Sequence, residues 1–152
     1  MKNYRILLVV IVCLVVSYVV HADAVINKDK NGVALKGYDA VAYFTEKKAV
    51  EGKKEFEHVW MDSTWRFASA SNRDLFAANP EKYAPQFGGY CAWGVTQGYL
   101  APIDPKAWKV VDDKLYLNYD TKVQAQWSQD IPANIKKATE KWPETSKSKP
   151  ID

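Results

Sequence analysis

EFEHVWMDSTWRFAS, residues 55–69, decides how the chain is read. Phe56, His58 and Trp60 alternate with Glu55, Glu57 and Val59. After Met61-Asp62-Ser63-Thr64 the alternation resumes with Trp65 and Phe67. A period of two is the mark of a strand with one buried face. With Asp62-Ser63 as a two-residue turn, Trp60 pairs with Trp65 and His58 with Phe67. The stretch therefore predicts a β-hairpin with an aromatic inner face that includes His58. An imidazole placed there needs a polar partner, because burying it unpaired is costly. That position suits a core histidine bonded to backbone, and equally a ligand or general base.

On the N-terminal side, GYDAVAYF (37–44) reads as a turn followed by a short apolar strand, and Thr45 to Lys54 is a charged connection broken by Gly52. On the C-terminal side, Ser69 or Ser71 caps a helix whose Leu75 and Phe76 face the core. Asn79-Pro80 ends that helix and starts another turn through Tyr83. Residues 100–105, LAPIDP, form a proline-stiffened loop. Trp108 to Val111 and Lys114 to Tyr119 form a second hairpin about Asp112-Asp113. Asp120 caps a helix from Thr121 to Gln129, and Ile131-Pro132 opens a last helix to about Lys141, ended by Pro143. Residues 144–152 read as a disordered tail. The expected class is α+β: a small antiparallel sheet of two hairpins, short helices and a C-terminal helical segment.

The first stretch stands apart from this fold. Lys2 and Arg5 precede an apolar run from Ile6 to Val20, and His21-Ala22-Asp23-Ala24 follows. This is the layout of a secretory signal peptide, with cleavage after Ala22 or Ala24. The expected organisation is a signal over residues 1–24, a domain over 25–143 and the tail. The destination is periplasmic or secreted, without stable membrane insertion after cleavage. The formal net charge is +3 over 152 residues, and the signal holds two of the basic side chains, so the exported domain is close to neutral. No basic stripe remains to engage nucleic acid.

The chain has two cysteines and two histidines, and removal of the signal takes Cys13 and His21 with it. Cys91 and His58 remain. No intramolecular disulfide is then possible, and a free thiol in an oxidising compartment must be buried, metal-bound or used. Cys91 sits in YAPQFGGYCAWGVTQG (83–98), behind Gly88-Gly89 and among Phe87, Tyr90 and Trp93. Paired glycines admit turns or close backbone approach. A short helix starting near Tyr90 would put Cys91 in its first turn, where free N–H groups favour the thiolate. The plain alternative is a small buried apolar residue.

GYDAVAYF (37–44), the run from Trp60 to Ala92 with its WRFASASNRDLFAANPEKYAPQFGGYCA, APIDPKAW (101–108) and KLYLNY (114–119) together carry a resemblance. In the order and spacing of these rare residues, the block from Gly37 to Trp127 resembles the YHS-domain family, in its exported single-domain branch. The resemblance implies a small α+β fold related to cysteine-rich metal-binding modules, and an association with heavy metals, copper especially. Members with the fuller site carry a pattern like F-C-S-x-x-C; here Ala68 and Asn72 stand at those two cysteine positions, and Met61 stands where a histidine can precede the turn. Zinc, which wants four N/S ligands, is disfavoured. His58 and Cys91 remain as the implied metal ligands, and that pair suits copper as Cu(I). Met61 could add a thioether; Asp39, Tyr43 and Tyr90 are candidate oxygen ligands, or else a turn cap and two core tyrosines.

The leading expectation is an exported metal-associated binding protein, with a metal-delivering or metal-accepting protein as a possible partner. A cysteine-dependent enzyme for thiol redox or acyl transfer would need a base at Cys91, with Asp39 or Asp104 orienting His58. A structural or partner-binding module would use the aromatic residues as a contact surface. There is no phosphate loop, G-x-S-x-G, H-E-x-x-H or C-x-x-C-H.

Overall fold

The structure, a computed structural model, describes residues 25–151. The expected signal lies outside them. The class is α+β, with two antiparallel hairpins, short helices and a C-terminal helix. The hairpins form two separate two-stranded sheets rather than one.

Strands β1 (Lys53–Trp60) and β2 (Ser63–Phe67) pair as expected, but the turn is Met61-Asp62. Trp60 opposes Ser63 and His58 opposes Trp65. The shift from the expected register is two residues, which preserves every face. Met61 and Asp62 both take left-handed backbone angles (φ 48° and 50°), the conformation that matches hairpin twist. The inner face closes on Phe76, whose ring lies 4.9 Å from Trp65, 5.1 Å from Phe67, 5.8 Å from Trp60 and 6.1 Å from His58. Phe76 comes from helix α2 (Ala70–Ala78), capped by Ser69, whose hydroxyl accepts from the Asn72 N–H at 3.1 Å. Leu75, expected inward, is 41% exposed, because its neighbour Phe76 fills the one inward direction at that turn.

The apolar run after Gly37 is not a strand. Val41 leads into a one-turn helix, α1 (Ala42–Thr45), and Asp39 determines this. Its Oδ1 accepts from the Val41 N–H (2.8 Å) and the Ala42 N–H (3.2 Å), and Oδ2 accepts from the Ala68 N–H (2.8 Å) and Asn72 Nδ2 (2.7 Å). One fully buried carboxylate thus ties α1 to the end of β2 and the start of α2. Tyr43, also buried, donates its hydroxyl to the Pro105 carbonyl at 2.8 Å and meets Trp108 edge-on.

Helix α3 (Pro80–Tyr83) starts at Asn79 and Pro80, and a 3-10 turn (Gln86–Gly89) leads to α4 (Ala92–Gln97). Gly88 shows why paired glycines stand there: a side chain would collide with the Val25 backbone, and its carbonyl accepts from the Asn27 N–H at 2.8 Å. The second hairpin, β3 (Asp104–Val111) with β4 (Lys114–Asn118), turns at Asp112-Asp113 as expected. Asp120 caps α5 (Thr121–Trp127) through the Val123 N–H. Asp130 caps α6 (Ile131–Thr145).

Helix α6 runs through Pro143 to Thr145, where the sequence reading ended it. Trp142 packs on Phe87 (5.6 Å) and Thr145 is buried, so tertiary contacts carry the last turn past the proline. The expected disordered tail is also ordered at its far end: the Ile151 N–H donates to the Leu100 carbonyl at 2.8 Å.

Candidate functional site

Cys91 stands one residue ahead of α4, as its N-cap. Three connections fix its backbone: its N–H donates to the Ala101 carbonyl (3.1 Å), its carbonyl accepts from the Val95 N–H (3.0 Å), and it forms a parallel bridge to Leu117 of β4. The sulfur is therefore held where the start of α4, the end of β4 and the Tyr99–Ala101 return meet.

Sγ accepts from the Gly94 N–H at 3.4 Å and from the Tyr119 N–H at 3.2 Å. On its other side the thiol points to Asn118 Oδ1 at 3.7 Å, which also accepts from the Trp93 N–H at 3.2 Å. Asn118 is fully buried, and its Nδ2 has no partner among the described residues. The Trp93 N–H fixes which end of the amide faces the sulfur, because reversal would bring two donors together. Burial pushes the Cys91 thiol above its ordinary value; the Gly94 and Tyr119 N–H groups oppose the shift without cancelling it. Cys91 is thus a protonated thiol at neutral pH, set among donors that would stabilise its thiolate once the proton is displaced.

A cavity of about 270 Å³ opens beside the sulfur. Cys91 and Ala101 are its buried residues, Trp93 and Val123 are half-buried, and Tyr99 (38% exposed), Tyr119 (51%) and Ile151 (48%) form its rim. Those three are among the large hydrophobic side chains most exposed in the described residues, and they surround one opening. Gly94 makes this shape possible. A Cβ there would stand 3.1 Å from the Tyr99 ring and 3.2 Å from its carbonyl oxygen, so a larger residue would have to shift the return segment by a few tenths of an ångström.

The other candidate residues lie elsewhere. His58 is half-buried in β1, edge-on to Phe76, and its ring makes no hydrogen bond among the described residues. It is not among the residues lining the cavity, and no hydrogen bond joins it to Cys91. Both oxygens of Asp39 are taken by four donors. Asp104 Oδ1 accepts from the Lys106 N–H at 2.9 Å, and neither carboxylate bonds His58. Met61 is in the turn, and Tyr43 and Tyr90 are buried core residues. Among the described residues, no three of His, Cys, Asp and Glu gather as a group able to hold a metal ion. That leaves low-coordination binding at a thiolate as the metal chemistry this donor set fits.

Sequence reading missed Asn118, Tyr119, Tyr99 and Ile151. A weak signal existed for the first: an asparagine closing the apolar strand KLYLN has no reason to be buried unless something polar meets it. No family model, curated protein or solved structure matches this chain.

Proposed function

We propose that the protein is an exported, YHS-like metal-associated binding protein that takes copper as Cu(I), with the Cys91 sulfur as its anchoring ligand. One observation carries the reading. A buried sulfur in the wall of a cavity accepts two backbone N–H groups, donors that would hold the thiolate once a soft metal displaces the proton that burial otherwise keeps on it. Binding releases the thiol proton, so affinity rises with pH until the thiol is ionised. His58, the second ligand that the resemblance implies, stands on Phe76 outside the cavity lining, so Cys91 carries the binding in this reading and His58→Ala tests the second ligand. A metal-delivering or metal-accepting protein would exchange the ion at the aromatic rim of the cavity.

The contacts at sulfur speak against a cysteine-dependent enzyme. They are an amide oxygen and two N–H groups, none of which takes up a proton, whereas a cysteine nucleophile needs a base within hydrogen-bond reach.

The test is metal analysis of protein purified from its own compartment, beside Cys91→Ser and His58→Ala. Copper retained at about one equivalent by the wild type and lost in Cys91→Ser is the expected result. Loss in His58→Ala as well assigns the second ligand. A copper-free wild type that also fails to bind Cu(I) on titration, or equal copper in Cys91→Ser, overturns the proposal.

A further inference from the structure

Cys91 is almost wholly buried although it lines a cavity, so something at the rim must move before a ligand or reagent reaches it. The rim residues are not held alike. Tyr119 is flanked by β4 and by the Asp120 cap of α5, and its N–H is bonded to the sulfur. Tyr99 follows the left-handed Gly98 that ends α4, and its N–H bonds the Gly94 carbonyl. Ile151 is reached by a different path. Ser146, Lys147 and Ser148 continue the α6 spiral through N–H bonds to Trp142, Glu144 and Thr145. Between Ser148 and Ile151 no backbone hydrogen bond holds the chain among the described residues, and Pro150 has no N–H to offer. The segment is fastened again only where the Ile151 N–H meets the Leu100 carbonyl, with the Ile151 side chain set against the cavity.

The geometry points to residues 149–151 as a strap that closes the Cys91 cavity and swings away, about a hinge at Lys149-Pro150, to admit what binds there. Its root is firm, because Thr145 is buried and α6 packs along α4. Among the described residues, its tip is fastened by one hydrogen bond and one half-exposed side chain, the kind of contact that opens locally at small cost. Opening needs no change in either hairpin. The strap regulates the site proposed above, yet it concerns access to the sulfur whatever the natural ligand is.

The experiment is the alkylation rate of Cys91 by iodoacetamide and by a bulky maleimide, on the chain from residue 25 onward. Three forms are compared: wild type, a form ending at Ser148, and Ile151→Gly. Removing one hydrogen bond and the side chain above the cavity should raise the iodoacetamide rate about tenfold in the truncated form. The maleimide rate should rise more, because the larger reagent depends more on an open mouth. Unfolding midpoints measured alongside show that the fold persists. Ile151→Gly, which keeps the whole chain, should give the same order of reagents with a smaller gain. Equal rates in folded wild type and Ile151→Gly overturn the strap, as does a gain that is the same for both reagents. A strap effect without copper binding would leave the strap standing and remove the copper reading; copper binding with unchanged alkylation would do the reverse.

Discussion

Asp39 and Cys91 are both buried acceptors that gather backbone N–H groups from distant segments, and they end differently. Asp39 meets four donors across its two oxygens, and every one of them belongs to an element it fixes in place. Cys91 meets two donors and an amide oxygen, beside an Asn118 Nδ2 without a partner among the described residues and a cavity with an exposed, largely aromatic rim. The residues around Asp39 sharpen the contrast. Ala68 through its backbone N–H and Asn72 through its side-chain amide both donate to the carboxylate. The result is a closed hydrogen-bonded knot. Around Cys91 the polar site is not closed. Closure marks a part built for stability, and an open polar group next to space marks a part available for binding.

Four measurements can break or sharpen that contrast. Asp39→Ala should have the largest effect. It leaves two buried and two half-buried donors without an acceptor, and unfolding in denaturant should show a loss of about 3–5 kcal/mol. A loss below about 1 kcal/mol would mean that the knot is not structural. Gly94→Ala comes next, at about 1–3 kcal/mol, because its methyl crowds the Tyr99 ring and carbonyl and that segment must shift by a few tenths of an ångström. The same variant should speed alkylation of Cys91, since Tyr99 is part of the rim.

Cys91→Ser should cost only about 1 kcal/mol, because a hydroxyl can accept the same two N–H groups. It should nevertheless lose all copper. A stability loss as large as that of Asp39→Ala would erase the distinction between the two sites. The smallest effect is on pH dependence. Burial raises the Cys91 thiol, so as pH rises past the ordinary thiol value of about 8.5 the unfolded chain loses its proton first. The contribution to stability is complete below that pH and declines above it. Wild type should therefore lose stability between about pH 8 and 10, and Cys91→Ser should lose less over the same window.

Much of the fold was legible because it is written locally. Ser69, Asn79 and Asp120 stand at the helix starts that the sequence marks, and each caps a helix. The inner face of the first hairpin was legible even though its register was not. Asp62-Ser63 looks the better turn because methionine seldom takes a left-handed angle. The choice of Met61-Asp62 is fixed by tertiary contacts: Trp65 donates its indole N–H to the Trp60 carbonyl, and both rings pack on Phe76. Val41 to Phe44 looked like a strand because the run is apolar. A carboxylate two residues before it, with partners about 30 positions away, made it a helical turn.

The site was half legible. Cys91 stood out as a single thiol behind two glycines. Its surroundings did not, because Asn118 and Tyr119 reach it across 27 and 28 positions and Ile151 across more. His58 stood out equally, and its contacts are with Phe76. Local sequence can mark an unusual residue, but it cannot say which distant segments will surround it.

That dependence on distant segments also sets a schedule. Each hairpin closes through a two-residue turn, a local event on the order of microseconds. The cover over Cys91 exists only after β4 has met α4 and the chain beyond α6 has met Leu100, contacts that pay loop closure first and therefore come late. A newly made molecule carries a bare thiol through that interval. The described residues hold no second cysteine to react with it, so the hazard lies between molecules, and it grows with the number folding side by side. Crowded refolding should therefore trap disulfide-linked pairs through Cys91, while the same protein, once folded, tolerates the same concentration and oxidant.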